Sequence, residues 1–312
     1  MSTKNKGFFS MKTHLFYNRT ENRLRAGWRI LIYLIIQIGL SILLSNLVKL
    51  MFGGFPRDRT WYIVIRAIIV IIVVPIAVWI SRKFFDKKSV VSLGLRFNSL
   101  TIWDLLIGFF LSGLMVGIIF ITLMAAGMLE IQSISWSGTS LPPVLGLFIW
   151  FLGIGAVVGL TEEMAFRGYL LQNLQEGIGM TWAIIISCIL YGVVHMSNPN
   201  SSLLSGTLIA VIGFLRIFGW LRTGQLWLSM GMHAGWNFFQ GPIFGFKVSG
   251  LKIESLIQHS LSGPKWITGG VFGPEAGIVV LPVIALGLLV MYFWTIKREN
   301  IPWKKWNSWE SL

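Results

Sequence analysis

The stretch GLTEEMAFRGYLLQ, residues 159–172, decides how the chain is read. It closes a long apolar run that begins near residue 143, and it places Glu162, Glu163 and Arg167 at the end of that run. An ionised side chain deep in a bilayer costs about 2.5–3.5 kcal/mol on insertion scales. Residues kept there are expected to be paired, turned toward the bundle interior, or functional. Helical spacing sorts the three. Glu163 and Arg167 are four apart, share a face and suit an ion pair. Glu162 points about 100° away and is left for other work.

The rest of the chain makes the setting a membrane. Of 312 residues, 54% are hydrophobic and 12% charged, whereas soluble domains carry about a quarter charged residues. Apolar runs of the roughly 20 residues needed to cross the hydrocarbon core recur along the chain. Eight spans are predicted, near 28–50, 60–81, 102–128, 143–171, 181–197, 203–221, 225–244 and 274–296. The expected fold is therefore all-α: a polytopic membrane protein of about eight transmembrane helices enclosing an intramembrane cavity. The fourth run is too long for a simple span, so its polar end, 172–176, should protrude. The organisation expected is a basic N-terminal segment (1–27), three helices (28–142), a core carrying the polar motifs (143–245), and a long loop, last helix and basic tail (246–312).

A net charge of +14 does not point to nucleic acid, because the basic residues sit at the ends and in selected loops. Seven Lys and Arg precede or open the first span, five lie between the second and third, one follows the sixth and four follow the eighth, against five in the alternate loops. That bias puts both termini in the cytoplasm, and a multi-pass protein of the bacterial cytoplasmic membrane is expected. No small-residue cleavage site follows the first run, so it is expected to stay as a span. The one cysteine, Cys188, excludes an internal disulfide and a CxxC metal knuckle. Buried in an apolar helix, it is read as an inert thiol rather than a nucleophile.

Few other ionisable groups fall in the spans. His195 ends the fifth, in YGVVH (191–195), and His233 and Asn237 share a face of the seventh, in HAGWN (233–237). An antiparallel hairpin turning near Ile178 brings Glu162 and His195 level, each about 25 Å from the turn. One cavity lined by Glu162, His195, His233 and Asn237 follows, and it is expected to open toward the cytoplasm. The pairs Gly113/Gly117, Gly155/Gly159 and Gly231/Gly235 either allow close helix approach or are chance spacings among 34 glycines.

Two carboxylates, two imidazoles and an amide suit peptide hydrolysis. A desolvated carboxylate is a competent general base, a His can help hold the water, and an Asn amide with a second His can donate to the oxyanion. Glu162, His195 and His233 could instead hold zinc with an open position. HExxH is absent, which excludes the standard zincin helix.

The ordered set EEMAFRGYL, YGVVH and HAGWN resembles the three motifs EExxxR, FxxxH and HxxxN of the CPBP intramembrane proteases, the CAAX protease and bacteriocin-processing family. The resemblance covers about residues 160–240, roughly a quarter of the chain. It implies an eight-helix membrane fold and glutamate-dependent proteolysis; no cofactor is expected, since water held by Glu162 and His195 suffices, and zinc stays the open alternative. It implies Glu162 as base, His195 as water-positioning group, and His233 with Asn237 at the oxyanion, supported by Glu163 and Arg167. Tyr191 departs from the pattern, which has Phe there. The expected activity is an endopeptidase acting on a membrane-associated peptide or protein. The rival is a non-enzymatic immunity or regulatory protein that keeps the motifs for packing. A transporter ranks last, since no two matching halves are found.

Overall fold

The computed structural model describes residues 15–18, 20–56, 59–138 and 142–297. Several of the cations counted above (Lys4, Lys6, Lys12, Arg19, Arg57, Arg298, Lys304 and Lys305) lie outside the described residues.

A two-stranded ribbon of β1 (Tyr17–Asn18) and β2 (Arg23–Leu24) leads into α1 (Ala26–Phe52), α2 (Arg59–Ile80) and α3 (Thr101–Ala125). Strand β3 (Leu129–Ile134) follows. The long fourth segment, α4, runs unbroken as helix from Pro143 to Ile178. Then come α5 (Met180–His195), α6 (Leu203–Thr223), α7 (Trp227–Phe238), β4 (Ile257–Leu261) and α8 (Val280–Thr295). Among the described residues, five helices, α1, α2 with its continuation to Asp86, α3, α4 and α6, are long and apolar enough to cross a membrane, and α5 and α8 are shorter apolar helices. The protein is thus a mostly helical, polytopic membrane protein.

Two expectations need correcting. The last helix starts at Val280, and the residues before it, Pro274–Ala276, form a separate tight turn. The region around 245–273 is not simple loop either. Its strand β4 pairs antiparallel with β3, 123 residues distant at the Gln258–Ser135 contact. Neither strand carries a long alternating pattern, so period-2 reading had little to work with.

Two apolar clusters make the core. One joins α3, α6, α7 and α8 around Met115, Leu215, Trp236 and Ile284. The other joins α1, α2, α4 and α5, with the ends of α6 and α7, around Tyr33, Val78, Tyr169 and Ala183. Helices α6 and α7 contribute to both, so the seam between the clusters runs along them.

At the end of the bundle where α4 turns into α5, a group of buried charges replaces apolar packing. Asp86 is 1% exposed and accepts from Arg29 at 3.1 Å and Arg82 at 2.8 Å. Tyr169 and Asn173 also donate to it, each at 3.3 Å. Glu176, at the tip of α4, accepts from Arg23, Arg29 and Lys88 at 2.6–3.0 Å. Burying one of these charges alone would cost several kcal/mol. Mutual pairing offsets part of that cost and pins the start of α1 and the ends of α2 and α4 together. This network absorbs the protruding polar end of α4.

Candidate active site

Glycines bring two of the motif helices, α4 and α7, into contact and seat α7 against α3. A Cβ on Gly159 of α4 would lie 2.9 Å from the Ala234 backbone nitrogen of α7. On the other flank, Cβ atoms on Gly231 and Gly235 would lie 2.2 and 2.3 Å from the Leu105 and Phe109 carbonyls of α3. Such separations are excluded for any residue with a Cβ, so α7 is held backbone to backbone between α4 and α3. The Gly155/Gly159 and Gly231/Gly235 pairs therefore mark real close approaches. Gly113 instead faces the ring of Phe239.

Helix α4 widens into π turns at Phe151–Val158 and Met164–Leu170, on either side of Gly159–Glu163. Such turns rotate the side chains that follow out of ordinary register, and they recur at functional sites.

Glu163 is fully buried. Its Oε1 accepts from Arg167 Nη1 at 3.2 Å and meets His233 Nδ1 at 2.9 Å. The ion pair expected from the i, i+4 spacing is present, and Arg167 also donates to the Gly213 carbonyl at 3.1 Å. An ionised Glu163 only accepts, so the His233 ring donates from Nδ1. Its Nε2 is then turned toward Glu162, whose Oε2 lies 3.9 Å away. Glu162 keeps 30% of its side chain exposed. It is the open carboxylate of the two, as the 100° offset predicts.

Tyr191, on α5, donates its hydroxyl to Glu162 Oε2 at 3.1 Å. The same hydroxyl accepts from Arg216 Nη1 of α6. The Tyr191 ring lies under the Arg167 guanidinium, 4.3 Å from centroid to Cζ. One turn on, His195 turns Nδ1 back to the Tyr191 carbonyl at 2.8 Å. Asn237, one turn beyond His233, is 5% exposed.

These groups share one cavity of about 270 Å³, several waters' worth of space. Glu162, Tyr191, His195, Arg216, His233 and Asn237 line it, and Val158, Ile209 and Ile212 supply apolar wall. The four residues expected to meet around one chamber do so, while Glu163 and Arg167 stand behind them. Cys188 does not line it. The zinc set is not realised: among the described residues, no three His, Cys, Asp or Glu side chains are arranged to hold a metal ion.

The remaining wall of the cavity comes from Val194, Ser197, Asn198, Val248, Ser249, Leu251 and Glu275, at the end of the bundle opposite the α4–α5 turn. The reason is length. The 16 residues of α5 rise about 24 Å from that turn, so His195 arrives near the far end.

Sequence reasoning missed two groups. Arg216 is 3% exposed, yet its guanidinium reaches the cavity. Its signal in the sequence is an arginine inside the apolar run 203–221. Glu275 also lines the cavity; it accepts from Trp236 Nε1 at 3.1 Å and from the Ser249 nitrogen and hydroxyl at 2.7 and 2.9 Å. It is hidden in the sequence because its turn falls at the start of the predicted span 274–296.

With this geometry in place, comparison with known proteins is informative. Residues 143–239 match the family described as Type II CAAX prenyl endopeptidase Rce1-like. This core is similar to that family. The match begins with α4 and ends after Asn237, so it contains all three motifs. The uncharacterized protein YyaK of Bacillus subtilis (strain 168) is 30% identical over 128 residues, 38% of this chain and 43% of YyaK. The chain therefore matches less than half the length of that relative. The Rce1-like segment bears out the resemblance carried by the motifs and supports a protease of the CAAX type in a membrane.

Proposed function

We propose that the protein is an intramembrane, glutamate-dependent endopeptidase that hydrolyses a peptide bond in a membrane-associated peptide or protein. The observation that carries this reading is the single cavity shared by Glu162, His195, His233 and Asn237, within the Rce1-like segment.

In this reading Glu162 takes a proton from a water held between it and His195, and the water oxygen bonds to the scissile carbonyl carbon. The carbonyl oxygen gains the negative charge. Asn237 and the His233 ring face it, with Glu163 steadying that imidazole through Nδ1. The protonated Glu162 then passes its proton to the leaving nitrogen as the C–N bond breaks, giving a free acid and a free amine. Positioned general-base chemistry contributes about 10²–10⁴-fold, and a lost oxyanion donor costs about 10²–10³-fold. No metal is required, so cleavage should survive a chelator in protein with no stoichiometric metal. The setting is the bacterial cell membrane, crossed by about eight helices, with both termini cytoplasmic. The partners are the bilayer and the peptide substrate.

Glu162→Gln keeps the shape and removes the base. Membranes from cells producing this variant should accumulate an uncleaved peptide, identifiable by mass spectrometry against wild type. Undiminished cleavage by the variant would refute the assignment. It would favour the non-enzymatic immunity or regulatory reading.

A further inference from the structure

The two ends of the bundle differ in charge, and the cavity belongs to one of them. One end gathers the start of α1, the turn after α2, the start of α3, the α4–α5 and α6–α7 turns and the end of α8. Direct contacts tie these parts together: Arg29 to Glu176, Leu226 to Gly94, Arg222 to Thr295 and Trp294 to Asp104. Ten Lys and Arg of the described residues lie at this end, from Arg23 through the 82–96 turn to Lys297. The other end holds the β3–β4 pair and the 196–202 and 244–279 segments. It carries five: Lys49, Arg59, Lys247, Lys252 and Lys265. Lys and Arg in short loops mark the cytoplasmic side.

The cavity is closed toward the basic end. Arg167, Tyr191, Arg216 and Met230 lie beneath it, none more than 3% exposed. Toward the other end its wall includes exposed Ser197 and Leu251. Val194, 53% exposed on the outer face of α5, is also part of the wall. The rim is built deliberately. Gly250 has φ +84° and its absent Cβ would lie 2.0 Å from the Pro199 carbonyl, so the 248–251 turn rests directly on the 196–202 segment.

We infer that the cavity opens on the extracytoplasmic side. Its substrate, resting on the endopeptidase reading above, is then a peptide anchored in or lying on the membrane and presented at its outer surface. Such a segment reaches Glu162 past Val194 and Ser197 without crossing the bilayer.

The chain's one cysteine, Cys188, permits a direct test. In a full-length Cys188→Ala background, Lys252→Cys marks the rim end and Ser99→Cys marks the basic end; both positions are exposed. Intact bacteria are treated with a membrane-impermeant charged maleimide, and permeabilised cells give the total reactive protein. The Lys252→Cys protein should label in intact cells to the extent seen after permeabilisation, and the Ser99→Cys protein only after permeabilisation. Any other pattern overturns the inference. Labelling needs no catalysis, so an inactive enzyme reading and a reversed orientation are told apart.

Discussion

His233 Nδ1 lies 2.9 Å from Glu163 Oε1, while its Nε2 faces Glu162 across 3.9 Å. Two adjacent glutamates thus hold opposite edges of one imidazole, one buried and one open to the cavity. Their substitutions should separate. Glu162→Gln should lower kcat by about 10²–10⁴-fold with little change in thermal unfolding in detergent, since the group is part exposed and the amide oxygen still accepts from Tyr191. Glu163→Ala leaves Arg167 buried beside a cavity, a loss of about 3–5 kcal/mol. Equal losses of stability in the two variants would contradict this division.

Tyr191 stands where the resemblance expects Phe. Tyr191→Phe keeps the ring under Arg167 but leaves Arg216 without its hydroxyl acceptor and Glu162 without that donor. A buried polar group deprived of its partner costs about 1–3 kcal/mol, which should appear as a lower unfolding temperature. Cleavage should persist within about tenfold, because removal of a supporting hydroxyl spares the base; 1.4 kcal/mol corresponds to that factor. Complete loss of activity in a folded Tyr191→Phe protein would assign the hydroxyl a direct part in the chemistry.

Gly235 presses α7 against the Phe109 carbonyl. Gly235→Ala must push the helices apart, at about 1–3 kcal/mol for overpacking, and displaces His233 and Asn237 with α7. A shift near 1 Å at reacting groups can cost about 10²-fold. Gly153→Ala is the control: a Cβ there meets nothing within 4 Å. Measured side by side, only the Gly235 variant should lose kcat.

His259, on β4 outside the spans, packs edge-on to Phe120 and Phe246. Burial holds its pKa below the ordinary value, although backbone carbonyls oppose the shift. The unfolded chain therefore binds a proton near pH 6.5 that the folded chain refuses. Stability is full above that pH and declines as pH falls through it toward the depressed folded value. Unfolding temperatures from pH 8 to 5 should fall for wild type and fall less for His259→Phe.

The legible parts of the molecule were those written in local spacing. Glu163–Arg167 and His233–Asn237 each lie one turn apart, and apolar runs announced the helices. The chamber was legible too, because a hairpin of known rise brings Glu162 level with Tyr191 and His195. What escaped depended on distant partners. Arg216 reads as a stray charge until Tyr191 is seen beside it, and Glu275 reads as the edge of a span until Ser249 and Trp236 close on it. Where the cavity lies along the bundle follows from the length of α5. The 24 Å rise of α5 had already carried His195 to the far end.

The ionic cluster at Asp86 bears on how the molecule is made. Arg29, Arg82 and Asp86 emerge early in synthesis, but Tyr169, Asn173 and Glu176 follow some ninety residues behind Asp86. Until then, Asp86 and Glu21 are the acids that answer the cations of this cluster. The opening helices must wait at the translocation machinery or the lipid headgroups, incompletely neutralised, and settle only when the fourth segment has been delivered. A nascent chain halted before that point would be a target for membrane quality control.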